Sequence, residues 1–135
     1  MKPGKVNEIL ARVDFHKMAR WFWDRHRGYP FRVKTRDICV VFLNHLDWKH
    51  GDFYDRAARE AIAVLRRNGI PIASDDDADG GYYWCATEEE KKLAVEAMEY
   101  RISSYAKAIQ HMKDASLGFK LPKTLYQQDM FNADT

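Results

Sequence analysis

Asp52-Phe53-Tyr54-Asp55-Arg56-Ala57-Ala58-Arg59-Glu60-Ala61-Ile62-Ala63-Val64-Leu65-Arg66-Arg67-Asn68-Gly69 reads as one amphipathic helix with both ends marked. Asp52 is the N-cap, with Asp55 three residues on, and Gly69 is the C′ residue that stops the helix after Asn68. At ~100° per residue, Tyr54, Ala58, Ala61, Ile62 and Leu65 fall on one side, while Arg56, Arg59, Ala63, Arg66 and Arg67 fall on the other. One face therefore seeks a core, and the other carries a stripe of guanidinium groups.

Downstream, Ile70-Pro71-Ile72-Ala73 and Tyr82-Tyr83-Trp84-Cys85 are β-branched and aromatic, and read as two short strands. Between them, Ser74-Asp75-Asp76-Asp77-Ala78-Asp79-Gly80-Gly81 is turn-forming. Thr87 and Glu90 form a capping box for a long helix from about Glu88 to Ala115. Its apolar residues Val95, Met98, Ile102, Tyr105, Ile109 and Met112 are spaced 3, 4, 3, 4, 3, a heptad seam. That seam fits a homodimer interface or a face that covers Trp21, Phe22 and Trp23 of the first helix. Periodicity stops at Ser116, and a flexible tail is expected from there to Thr135.

Upstream, Val6, Ile9, Leu10, Val13, Met18, Trp21 and Phe22 predict a helix from about Val6 to His26, ended by Gly28. Tyr29-Pro30-Phe31-Arg32-Val33 is a short extended link. Thr35 is the expected N-cap of a second helix that faces the core with Ile38, Val41, Phe42 and Leu46. The fold class is thus mainly α with a small β-hairpin: a winged helix-turn-helix over residues 1–87, a long helix over 88–115 and a tail over 116–135. In that order of elements the third helix enters the DNA major groove and the hairpin is the wing. A helix in the groove needs one packed face and one cationic face for phosphates and base edges. The expected DNA contacts are Arg56, Arg59, Arg66 and Arg67, with Lys34 and Arg36 at the start of the second helix.

The run from Arg59 to Ser74 also resembles small phage and prophage winged-helix proteins, which carry R-x-x-I-x-x-L-R-x-x-G-I-P-I-x-S followed by a variable turn and G-Y-Y or G-Y-W. Gly81-Tyr82-Tyr83-Trp84 supplies the second part, and Glu88-Glu89-Glu90 matches the family's acidic helix start. The resemblance spans roughly Thr35 to Ala115, and it implies DNA binding near phage replication functions, with no catalytic residue. The chain departs from what a DNA-tracking wing needs in the aspartates of the turn, which repel phosphate.

Asp75-x-Asp77-x-Asp79-Gly80 matches the start of a calcium-binding EF-hand loop, but Ala86 stands where the bidentate glutamate belongs. A solvated acidic turn is expected, with no metal and no cofactor. In the tail, Gln127-Gln128-Asp129-Met130-Phe131 resembles the bacterial sliding-clamp-binding pentapeptide, Q-x-[SD]-[LM]-F. The resemblance implies that Gln127 makes the polar contact, Asp129 fits the third place, and Met130 and Phe131 fill an apolar cleft. Another outcome for Met130 and Phe131 is packing on the domain itself.

The chain has 135 residues, of which 46% are hydrophobic and 31% charged, so it is globular rather than disordered, and one domain in scale. Its net charge is only +2, but the charge is uneven. Arg12 to Arg36 holds eight bases against Asp14 and Asp24, whereas Ser74 to Glu90 holds seven acids and no base. Such a dipolar layout points to an oriented partner. No apolar run is long enough for a membrane span and no signal segment is evident, so a cytoplasmic protein of a bacterial or phage-infected cell is expected. Cys39 and Cys85 lack the spacing for zinc, and His16, His26, His45, His50 and His111 are scattered. No catalytic motif occurs, so an enzyme is not expected. The function these features favour is a phage-type DNA-binding protein that engages the sliding clamp in replication or its control. A transcriptional regulator with an incidental tail, or a protein-binding inhibitor built on the same scaffold, also fits.

Overall fold

In chain order, the elements are α1 (Pro3–Leu10), α2 (Phe15–Arg25), a 3-10 turn (Tyr29–Phe31), α3 (Thr35–Phe42), α4 (Phe53–Arg67), β1 (Ile72–Ser74), β2 (Tyr82–Trp84) and α5 (Glu88–Asp114). The computed structural model describes residues 3–46, 52–75 and 81–118. Two compact units divide the chain, Met1–Met98 and Glu99–Thr135. The fold is mainly helical with one small antiparallel hairpin and a long C-terminal helix, as the pattern of the sequence predicts.

α4 is the centre of the first unit, because α1, α2 and α3 all pack on it. Ala57, Ala58 and Ala61 are fully buried, and their small side chains let the neighbouring helices approach closely. With Asp55, Ile62 and Leu65 they span a buried arc of ~160°, wider than the apolar face read from the sequence. Met18 and Phe22 of α2, Ile38 and Cys39 of α3, and Ile72 of β1 complete the core.

Both ends of α4 form as their residues dictate. The Asp52 carboxylate accepts the Asp55 N–H at 2.8 Å. At the other end Gly69 has φ +84°, which costs glycine nothing, and its N–H donates to the Arg66 carbonyl while Ile70 N–H donates to Leu65. This pair of bonds is a Schellman closure and satisfies two carbonyls that the helix leaves open. The Asp52 carboxylate also lies 3.5 Å from His45 Nε2, and the His45 ring stacks on Tyr54 at 3.7 Å. Asp52→Ala is expected to lower stability by about 1 kcal/mol, read as a fall in melting midpoint of roughly 4–8 °C.

Three local expectations are corrected. The periodic segment from Val6 to His26 is two helices, because the Asp14 carboxylate caps a new start by accepting the Lys17 N–H at 3.1 Å. Lys34, not Thr35, is the N-cap of α3. α3 ends at Phe42 and Asn44 at φ +51° reverses the chain, so Leu46 falls outside the helix and is exposed; Val41, within α3, is exposed too, and Cys39 is buried in the core instead. Burial pushes the Cys39 thiol up to about 12, with the Asp52 and Asp55 carboxylates adding to the effect. Its Sγ–H donates to the Tyr54 carbonyl, so it is a packing residue rather than a reactive one.

β1 and β2 pair in the register Ile72↔Trp84, Ala73↔Tyr83 and Ser74↔Tyr82. The far edge of β2 is met by the link that follows α2. Val33 and Tyr82 exchange two backbone bonds of 2.8 Å, while Gly28 N–H donates to Trp84 and Trp84 N–H to His26. The link is therefore a third edge of the sheet and holds the hairpin against the helices. The Thr87 hydroxyl accepts the Glu90 N–H at 3.1 Å, so the predicted cap of α5 forms. The Glu90 carboxylate reaches further than a capping box requires, accepting Ala86 N–H at 2.7 Å and Tyr29 N–H at 3.0 Å. No residue of α5 is buried, and no described helix is long and apolar enough to cross a membrane.

Candidate nucleic-acid interface

The outward face of α4 starts with Arg56 and Arg59 in its first two turns, and both are exposed. Arg59 Nη2 lies 3.4 Å from the carboxylate of Asp55, one helical turn earlier. The Asp55 side chain is only 5% exposed while that of Arg59 is 57% exposed, so the guanidinium reaches solvent from a buried anchor. A carboxylate in that position holds one end of the guanidinium fork and orients the rest.

Arg66 and Arg67 behave differently from the first pair. Arg66 lies at the margin of the helix face, where β1 runs back along α4, and its Nε donates to the Ile72 carbonyl at 2.7 Å. It ties the hairpin to the helix. Arg67 is exposed and paired with Glu60 at 3.1 Å, but both side chains are well solvated. An exposed pair of this kind contributes about 0–1 kcal/mol, so Glu60 holds that guanidinium only weakly.

Lys34 and Arg36, at the start of α3, are exposed. Between them Thr35, released from capping, shares a side-chain hydrogen bond with Tyr82 of β2. Burial raises the Tyr82 phenol above its ordinary value, and the Thr35 bond and the charges of Arg66 and Arg59 partly oppose the rise. Tyr82 thereby links the start of α3 to the hairpin, within the electrostatic reach of Arg66 and Arg59. Sequence reasoning missed this role, although Tyr82 lies in the G-Y-Y triplet quoted above.

The base of the hairpin is also tied down. Arg32 Nε lies 3.6 Å from the Asp75 carboxylate, its Nη1 donates to the Tyr29 carbonyl at 3.3 Å, and its guanidinium covers the Tyr29 ring at 4.1 Å. The first of the four turn aspartates is thus neutralised where it leaves β1. Asp76, Asp77 and Asp79 lie outside the described residues, and so do Gln127, Asp129, Met130 and Phe131 of the clamp-like peptide. Among the described residues, no group of three or more His, Cys, Asp or Glu side chains is arranged to hold a metal ion.

The aromatic residues near the hairpin are half-exposed and interleaved with cations. Trp23 meets Trp84 edge-on at 5.2 Å and carries the Arg27 guanidinium over its ring at 4.0 Å. Trp21, by contrast, packs edge-on against Phe22 and Phe42. No family model matches this chain, and neither a curated protein nor a solved structure matches it.

Proposed function

We propose that this chain is a winged-helix DNA-binding protein of the phage type that carries a sliding-clamp-binding peptide in its tail. It acts in the cytoplasm of a bacterial or phage-infected cell, in replication or its control. The observation that carries the DNA part is the exposed pair Arg56 and Arg59 on the outward face of α4, the helix whose opposite face is the core. Lys34 and Arg36 extend the cationic surface from the neighbouring helix start. Arg66 positions the hairpin in this reading and Arg67 is a secondary phosphate contact. The clamp part rests on Gln127, Asp129, Met130 and Phe131, whose residue types and order supply one polar contact and two apolar anchors. The mechanism is tethering: the helix face holds DNA while the tail holds the clamp.

A titration of labelled duplex at two salt concentrations tests the first half. Affinity is expected to fall steeply as salt rises, because each phosphate neutralised releases counterions from the DNA. Salt-independent binding, or none, overturns it. The second half is tested by surface binding to purified bacterial sliding clamp, where deleting residues 127–131 is expected to remove the signal. Equal binding by the truncated chain ends the clamp reading and leaves a plain DNA-binding regulator.

A further inference from the structure

We infer that α5 pairs with α5 of a second copy of this chain, forming a two-stranded coiled coil along the Val95–Met112 seam. The starting observation is the helix itself. It runs for 27 residues and none of them is buried. A helix in water gains most of its stability from packing an apolar face, so a long helix without such packing is incomplete. Val95, Met98, Ile102, Tyr105, Ile109 and Met112 keep the heptad spacing over residues 95–112, with Leu93 and Tyr100 off the seam. Ile102 is 69% exposed, Tyr105 75% and Met112 80%, so the outer two-thirds of the seam faces solvent.

Three features select a second copy as the occupant. First, Val95, Ile102 and Ile109 are β-branched and alternate with Met98, Tyr105 and Met112, which carry no branch at Cβ. β-Branched residues at the first core position of the heptad favour two strands in parallel coils. Second, α5 carries six acids and five bases, and Ala94, Ala106 and Ala108 flank the seam. Two copies therefore meet without like-charge repulsion, whereas a strongly charged partner has no matching field to dock on. Third, the five exposed seam side chains Val95, Ile102, Tyr105, Ile109 and Met112 from each of two helices, at roughly 100 Å² apiece, reach the ~1,000 Å² that a specific association requires. The Tyr105 hydroxyl reaches the edge of such a seam and stays hydrated. The pairing stands independently of DNA binding.

Sedimentation equilibrium of the full chain tests it. A particle of twice the 15.8 kDa chain mass is expected at micromolar protein, with a melting temperature that rises with concentration. Ile102→Asp with Ile109→Asp is expected to return the mass to that of one chain and to remove much of the α5 helical signal in circular dichroism. Ser103→Asp with Gln110→Glu, substitutions off the seam, is expected to leave the pair intact. A monomeric parent chain overturns the inference, and so does a double isoleucine variant that still sediments as a pair.

Discussion

Arg56→Ala combined with Arg59→Gln is expected to weaken duplex DNA binding by about 30-fold or more, since each arginine contact in a protein–DNA interface is worth about 1–3 kcal/mol. The slope of log affinity against log salt is expected to become shallower by about two, one for each cation removed from the phosphate count. Glutamine is chosen at residue 59 for a structural reason. The Asp55 carboxylate is buried beside Arg59, and alanine would remove one of its partners, confusing lost binding with lost stability. The glutamine amide still offers a donor there. Arg67→Ala is the internal comparison, and its effect is expected to be smaller because Arg67 lies in the last turn of α4, away from the N-terminal pair. Fluorescence anisotropy on a labelled duplex reads both variants beside the parent. If the double variant melts like the parent and binds with unchanged affinity and salt slope, DNA does not occupy this face.

Gly81→Ala is expected to cost about 2–3 kcal/mol, with the damage confined at first to the hairpin. A Cβ at residue 81 falls 2.5 Å from the Val33 carbonyl oxygen and 2.9 Å from its carbon. Both atoms are backbone, so no side chain can rotate away to make room. The remaining way to relieve the overlap is to move β2 off the Arg27–Val33 link. That movement breaks the two 2.8 Å bonds between Val33 and Tyr82, and it disturbs the 2.8 Å bond from Asp75 N–H to the Gly81 carbonyl. Tyr82 then loses its place beside Thr35 and the arginines of α4, so DNA affinity is expected to fall together with stability. Thermal melting and hydrogen exchange at the Val33 and Tyr82 amides measure the effect. Parental melting with both amides still protected would show that the link and the hairpin do not depend on this close approach.

The arginine face illustrates how much of the site was legible from residues alone. Helical periodicity places Arg56, Arg59 and Arg67 outside correctly, because angle along a helix depends only on position in the chain. It places Arg66 with them, and there it misleads. Arg66 sits at the border of the face, and its environment is decided by β1, which returns past it after Gly69. Thr35 is similar: its residue type suits an N-cap, yet Tyr82, distant in sequence, takes its hydroxyl. Asp75 reads as one more acid in a solvated turn, while in the fold it meets Arg32 across the sheet.

Sequence alone determined the features whose partners lie within about one helical turn: the Asp52 cap, the Gly69 closure, the Thr87 cap and the heptad period of α5. Such bonds close over a few residues, so the entropy of closing them is small and local residue types decide them. Tertiary structure decided what those elements meet. The Glu90 carboxylate bonds Tyr29, 61 residues away, and the Val33 link becomes the third edge of the sheet. Contacts of that range depend on which faces the whole chain brings together, and no window of sequence contains both partners.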